Sequence, residues 1–511
     1  MHRASNFGGE LVIKKIILFV IDSLHPVVFE RVLSEGNARA LKFLANNGKL
    51  RSDVVSSFPT MTPVATSSIM TGVGPDKHLV PGFIWYNEEL RRIVDYGGTW
   101  QSILKLGPER VLRNILLKLN GEHLNPRTLT LYEKLEASGL TTGSINFFIH
   151  RATQTYQAKM PILMEWATRF RMTRETIKGP GFLTLGQLIH PKFTGGTFAF
   201  PRGIFNRFGF NDSFSGQTAV KIIQEGQQPD FLVIYLPDND RYSHKHGPLR
   251  TGPSLERADQ QVGTVLDALG PWEKILEENI IIVTGDHSQT TVGLGNEYLI
   301  DLDRSLRKFK RLRSVECNVE DQEIAICPNE RMAFIYIFQR KKDILAEVVG
   351  ILALDFRNAQ IAWKVRNNKY CVIQGGSEKK LFFSRRGPYW DIYGQSWNFE
   401  GDLDVVDAKI DADDLKLKFG HYPDAFTRLS SALEGRNSTR VVVSAASGYE
   451  YLAEGGPIHP GGGSHGSLEQ EDSVVPMIIA GSTQTLHNPR IIDLFAFILE
   501  HFKLSESYSE T

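Results

Sequence analysis

The stretch KKIILFVIDS, residues 14 to 23, carries six apolar residues from Ile16 to Ile21 without a polar break and then stops on Asp22. A half-exposed strand would alternate apolar and polar side chains, whereas an unbroken run of this length suits a strand covered on both faces. Five further runs repeat the design: TTGSINFF (141–148), DFLVIYLPD (230–238), NIIIVTGDHS (279–288), RVVVSAAS (440–447) and VVPMIIAG (474–481). Longer helical patterns separate them. Such alternation predicts an α/β fold with a mostly parallel central sheet covered by helices on both faces.

Length and composition narrow the function classes. A chain of 511 residues with 41% hydrophobic content can bury a large core. Its 58 basic residues balance 58 acidic ones, so no global field favours nucleic acid or a membrane surface. The run Ile16 to Ile21 is too short for a membrane span, and no small-residue cleavage site follows it. The three cysteines, Cys317, Cys327 and Cys371, cannot all pair with one another and lack metal-type spacing, which points to a reducing cytoplasm. The expected partner is therefore a small molecule bound at a site.

Two stretches depart from the strand and helix alternation. Residues 88 to 225 hold a basic helical part and then the Phe- and Gly-rich FTGGTFAFPRGIFNRFGFNDSF (193–214); residues 303 to 435 are charged and α+β in character. The expected organisation is a catalytic core over 11–302 and 436–504, with an insertion at 88–225 and an inserted α+β subdomain at 303–435. Core strands then resume at RVVVSAAS.

Ligands of open α/β sheets bind beyond the carboxyl ends of the strands, so polar residues directly after the apolar runs draw attention. Asp22 ends the first run, Asp238 and Asp240 follow FLVIYL, and Asp286 with His287 ends NIIIVTG. Asp240 and His244 are four residues apart, a spacing that lets both face one point from a helical turn, while His246 is offset. HPGGGSHGSL (459–468) presents His459 and His465 on a glycine-rich loop where bare backbone permits close approach. Any one such aspartate is most often a turn former. Their joint occurrence at three strand ends, with a histidine loop, makes a metal-ligand set. Mixed carboxylates and imidazoles suit zinc, with manganese or iron as alternatives, and calcium would want more oxygens. Two divalent ions against three carboxylates would leave a cationic site that attracts phosphate or sulfate and clamps an in-line displacement.

In order and company, FVIDSL, FPTMTPVATSSIMTGVGPDKH, DNDRYSHKHGP, TGDHSQT and GGGSHGSL resemble the alkaline phosphatase superfamily, in its type I phosphodiesterase/nucleotide pyrophosphatase branch. The resemblance implies a phosphoric ester hydrolase with two divalent metal ions. One would be held by Asp240, His244 and His465, the other by Asp22, Asp286, His287 and the hydroxyl of a nucleophile. The family places a Thr or Ser two residues after FPT, which is Thr62 here. A threonine hydroxyl is a poor nucleophile unless a base or metal helps it. Pro63 directly follows, which predicts Thr62 as a helix N-cap, at the positive end of the helix dipole. The implied reaction is in-line attack of Thr62 on phosphorus, followed by hydrolysis of the phospho-threonine.

Two departures bear on the substrate. Many relatives have an asparagine near WYD that donates to the phosphoryl oxygen; HLVPGFIWYN (78–87) has Phe83 there, leaving Asn87 as a candidate substitute. Some phosphatases use a Lys and an Arg after the next strand to grip a monoester dianion; INFFIHRAT (145–153) offers Arg151 and no lysine. Fewer cations tilt the expected substrate toward a phosphodiester or pyrophosphate bond. The alternatives are a phosphomonoesterase or phosphomutase of the same superfamily, or a non-catalytic relative that binds a phosphorylated ligand.

Overall fold

In the computed structural model, which describes residues 13–97, 108–157, 175–189, 204–313, 319–338, 342–366, 368–411, 414–435 and 439–504, the opening run is strand β1 (Lys15–Ile21). The other strands that place the site are, in chain order, β2 (Gly48–Val55), β3 (Thr142–Ile145), β4 (Phe182–Thr184), β5 (Phe231–Leu236) and β6 (Asn279–Thr284). They continue with β7 (Ile324–Asn329), β8 (Met332–Ile337), β9 (Asn358–Arg366), β10 (Thr439–Ala445) and β11 (Val474–Ala480).

One sheet has seven strands in the order β2-β11-β6-β1-β5-β3-β4. β1 runs parallel to β6, with Lys15 opposite Asn279, and parallel to β5, with Ile16 opposite Phe231. β3 is parallel to β4 and β5. β11 is antiparallel to both of its neighbours, β2 and β6, so it alone runs against the rest. The mostly parallel α/β sheet is as expected.

The missing alternation in β1 has a direct cause. Ile16, Leu18 and Val20 enter one core with Ala65 and Ile69 of helix α1 (Thr62–Thr71); Ile17, Phe19 and Ile21 enter another with Leu255 and Val262 of a helix spanning Gly252–Leu269. Both faces are interior, and each buried aliphatic side chain contributes about 1.5–3 kcal/mol. Among the described residues, no helix is long and apolar enough to cross a membrane.

β7 to β10 belong to a second sheet, of ten strands, in which β8 pairs with β7 and β10, and β10 pairs with β9, all antiparallel. Here the expected boundaries need correction. RVVVSAAS forms β10 inside this second sheet, so the second unit runs on through Ala445 and the core does not resume at 436. Val441 and Val443 face one cluster with Val348, and Val442 faces another with Phe426 and Leu429, so β10 is covered on both sides just as β1 is. The segment 88–225 is not one insertion either, because it contributes β3 and β4 to the first sheet. Of its phenylalanines, Phe214 is buried and Phe210 packs on the local cluster around Leu185, while Phe198 and Phe200 lie outside the described residues.

Arg331, between β7 and β8, ties the two sheets together. Its wholly buried guanidinium lies 2.6 Å from both Glu469 Oε2 and Asp472 Oδ1, just ahead of β11. It also donates to Ser467 Oγ and to the carbonyls of Tyr449 and Ala446. Arg331→Met leaves Asp472 buried without its ion-pair partner and Glu469 with only His421 at 3.4 Å, and is expected to cost about 3–5 kcal/mol of stability. Urea denaturation checks this, and a loss under about 1 kcal/mol, the scale of an exposed pair, would refute it.

Candidate active site

Strands β5, β1 and β6 are adjacent, so the residues just beyond their carboxyl ends converge. Asp22 directly follows β1, Asp286 and His287 follow β6, and Asp240 lies in the first turn of helix α2 (Asp238–His246) after β5, one turn before His244. His287 Nε2 is 3.6 Å from Asp22 Oδ1 and 3.7 Å from Asp286 Oδ2, and 3.2 Å from Thr62 Oγ1. Asp240 Oδ1 is 3.3 Å from His244 Nε2 and 3.8 Å from His465 Nε2. The structure thus brings together all seven residues of the expected metal set.

The three imidazoles share one orientation. His244 Nδ1 faces the Gly463 carbonyl at 2.8 Å, His287 Nδ1 the Ser288 carbonyl at 3.1 Å, and His465 Nδ1 the Thr60 carbonyl at 2.6 Å. Donation of Nδ1–H to a carbonyl aims the Nε2 atom of each ring into the cluster, the arrangement that orients metal-bound histidines. Burial pushes the His465 pKa down to about 3, which keeps its ring in the neutral, ligating form. The glycine-rich loop brings His465 in by close backbone contact with α2: a Cβ on Gly462 would lie 1.9 Å from the His244 carbonyl oxygen.

The carboxylates are arranged for a cation. Asp22 Oδ2 accepts from Tyr235, while Asp22 Oδ1 is buried without a donor in the protein. Asp286 Oδ1 accepts the backbone N–H groups of Ser23 and His287, and its Oδ2 is likewise buried and unpartnered. Burial, with Asp286 and Asp240 close by, pushes the Asp22 carboxyl well above its ordinary range, and burial raises Asp286 as well. At Asp240 burial acts in the same sense, but His244, which Asp240 and Glu330 raise to about 10 against its own burial, outweighs it and holds that carboxyl low. Crowded buried oxygens without donors are costly in the protein alone and are relieved by a bound cation, so the residues present fit divalent metal.

Thr62 differs from the other hydroxyls of its segment. Helix α1 begins at Thr62 with Met61 as N-cap, so Thr62 is its first residue and Pro63 its second, one position further in than the expected N-cap. Nine of the ten α1 residues are buried; Thr62 alone is half-exposed. Thr66, Ser67 and Thr71 donate back to the carbonyls of Thr62, Pro63 and Ser67. Ser68 bonds His78, and Thr60 Oγ1 accepts the Gly466 N–H. The hydroxyls that looked interchangeable in sequence have structural partners, and Thr62 Oγ1 is the one directed at the cluster.

Asn87 and Arg151, expected as substrate contacts, are placed elsewhere. Asn87 Oδ1 accepts the Leu90 N–H in a hairpin turn. Arg151 uses its guanidinium on Glu133 and on the carbonyls of Leu124, Asn125 and Thr128, which locks a neighbouring loop and leaves no donor for a ligand. Phe83 packs edge-on against Tyr96 within the core. Asp238 pairs with Arg207, and the His246 ring lies on Tyr242.

Two residues at the cluster were absent from the expected ligand set, although one of them, Gln289, lies within TGDHSQT. Gln289 Nε2 donates to Asp240 Oδ1 at 2.7 Å. Glu330 reaches the histidines from the β7–β8 turn, with Oε2 3.5 Å from His465 Nε2. The available signal was a polar PNER turn between two apolar runs, which reads as an ordinary hairpin.

The fold is that of nucleotide pyrophosphatases of the alkaline phosphatase superfamily. Murine ectonucleotide pyrophosphatase/phosphodiesterase 5 superposes with a TM-score of 0.56 at 14% sequence identity, over 96% of each chain. An inactive variant of that murine protein, in complex with AMP, gives a TM-score of 0.56 at 13% identity, again over 96% of each chain. Residues 16–394 match the family model of type I phosphodiesterase/nucleotide pyrophosphatase, and the chain belongs to that family. Shorter similarity reaches the 2,3-bisphosphoglycerate-independent phosphoglycerate mutases of Pyrococcus horikoshii, 30% identical over 88 residues (17% of this chain, 19% of the relative), and Pyrococcus abyssi, 26% over 88 residues (17% and 20%). The chain spans about a fifth of the length of these curated relatives.

Proposed function

We propose that this protein is a metal-dependent phosphohydrolase that cleaves a phosphodiester or pyrophosphate bond of a small nucleotide-like ester, with Thr62 as nucleophile. The observation that carries the proposal is the pairing of Thr62, the one partly buried residue of an otherwise buried helix, with His287 Nε2 at 3.2 Å beside the unpartnered oxygens of Asp22 and Asp286. Asp22, Asp286, His287 and Thr62 would hold one metal, and Asp240, His244 and His465 the other. When bound, two divalent ions supply Lewis acidity at the phosphoryl oxygens and charge neutralisation during in-line displacement. Zinc suits the mixed donors, with manganese or iron as alternatives.

The chain's own residues do the rest. Solvent access at Thr62 gives its hydroxyl proton an exit. The α1 amino terminus favours negative charge at the attacked phosphoryl group. As the Thr62 Oγ–P bond forms, the bond to the leaving oxygen breaks, and water then releases the product from the phospho-threonine. The free thiols of Cys327 and Cys371 support a reducing, cytoplasmic setting.

Among the described residues no Lys or Arg joins the cluster, which favours a singly charged diester over a doubly charged monoester. The expected kcat/KM for bis-p-nitrophenyl phosphate exceeds that for p-nitrophenyl phosphate by about tenfold or more, a difference of about 1.4 kcal/mol in transition-state binding. A tenfold preference for the monoester would overturn the choice of substrate class. The similarity to phosphoglycerate mutases favours one second reading, transfer of the phosphoryl group to an acceptor hydroxyl instead of water. Product analysis separates them: hydrolysis releases the phosphate group to water, and transfer re-esterifies it.

A further inference from the structure

Glu330 occupies the turn between β7 and β8 with φ 59°, in the left-handed region that non-glycine residues seldom adopt. Such backbone costs on the order of 1 kcal/mol or more and persists where the surroundings hold it in place. Here the surroundings are the histidine loop. The Arg331 N–H donates to the His465 carbonyl at 2.8 Å, while the His465 N–H and the Ser464 hydroxyl each donate to Glu330 Oε2 at 3.1 Å. Gly466, at φ 113°, lets the turn come so close that a Cβ there would lie 2.3 Å from the Asn329 carbonyl oxygen. The second sheet therefore delivers one buried carboxylate directly into the acid and histidine cluster.

Its carboxylate oxygens face the Nε2 atoms of two expected ligands, His465 and His244, and with His244 and His459 it forms one group that could hold a metal ion. Glu330 Oε2 is 3.5 Å from His465 Nε2 and Oε1 is 3.9 Å from His244 Nε2, beside Asp240 Oδ1 contacts of 3.8 Å to His465 and 3.3 Å to His244. Donors about 2.0–2.1 Å from a tetrahedral metal stand about 3.3 Å apart, close to this spacing. We propose that Glu330 is a fourth protein ligand of the metal held by Asp240, His244 and His465, an inference that rests on the two-metal reading above. Behind it, the His459 ring stacks on His244 at 4.0 Å, with Nδ1 3.4 Å from Glu450 Oε2 and 3.8 Å from Glu330 Oε2, so His459 backs both His244 and Glu330.

Two consequences follow from the added oxygen. Asp22, Asp240, Asp286 and Glu330 bring four negative charges against the four positive charges of two divalent ions, so the centre is neutral where three carboxylates would leave it cationic. A neutral centre gives a dianionic monoester less advantage over a diester. Two carboxylates with two imidazoles also form a harder donor set, which favours manganese more than an aspartate with two histidines does.

The test is competition titration of the metal-stripped full chain with a chromophoric chelator, using Zn2+ and Mn2+ separately. Wild type is expected to bind two equivalents. Glu330→Gln keeps the shape of the side chain and is expected to weaken one equivalent by about tenfold or more while leaving the other near its wild-type affinity. The loss should be larger for Mn2+, and the diester-to-monoester rate ratio should fall. Glu330→Asp keeps the charge on a shorter arm and should also weaken one equivalent, which covers the case in which the glutamine variant fails to fold. Wild-type affinity at both equivalents in either folded variant overturns the role of Glu330 and leaves the two-metal reading standing. Fewer than two equivalents in wild type overturns both.

Discussion

Thr62→Ala is expected to lower kcat on a phosphodiester by at least about a thousandfold, because no other group in its segment can form the covalent ester. The five neighbouring hydroxyls of FPTMTPVATSSIMTG are buried and bonded to carbonyls, to His78 or to the Gly466 amide, so none can stand in. Thr62→Ser keeps the oxygen beside His287 and should recover most of the turnover. Neither substitution touches the core, so circular dichroism should match wild type. Turnover of Thr62→Ala within tenfold of wild type, over a panel of phosphoesters, would remove Thr62 from the reaction and leave the site as a binding module.

Asp286→Asn carries the second large effect. Asp286 is fully buried, one oxygen is fixed by two backbone amides, and the other faces the cluster with no donor. The amide keeps the volume but removes the charge that would hold a cation next to Thr62. The expected outcome is loss of one metal equivalent and a fall in kcat of about a hundredfold or more, with a much smaller change in KM. That split distinguishes a group acting in the transition state from one that only binds substrate. Full metal content with ordinary turnover would break the ligand assignment.

These residues are legible in the sequence for a local reason. Asp22 and the Asp286–His287 pair close apolar runs whose lack of alternation already marks them as strands covered on both faces. The residue after such a run stands at a strand end wherever the strand is placed in the sheet. Asp240 and His244 are legible because a helical turn sets four residues apart on one face. By contrast, the unbroken run of β10 looked like a core strand and lies in the other sheet, since the pattern reports two covered faces and not what covers them. Arg151 shows the same limit: a cation near a motif says nothing of its partners, and folding brings it to Glu133 and three carbonyls.

The sequence by itself determined the α/β class, the strand-end acids, the paired histidine and the hydroxyl-rich helix start, because each depends on contacts between near neighbours in the chain. Only the tertiary structure decided which sheet each apolar run joins, which of six hydroxyls meets His287, and that Glu330 enters the centre. The His465 ring is oriented by the Thr60 carbonyl, 405 residues away, and the Ser464 hydroxyl reaches Glu330 across 134. Bonds over such separations have no local signature, since they exist only once two sheets, each with its own buried faces, have packed against one another.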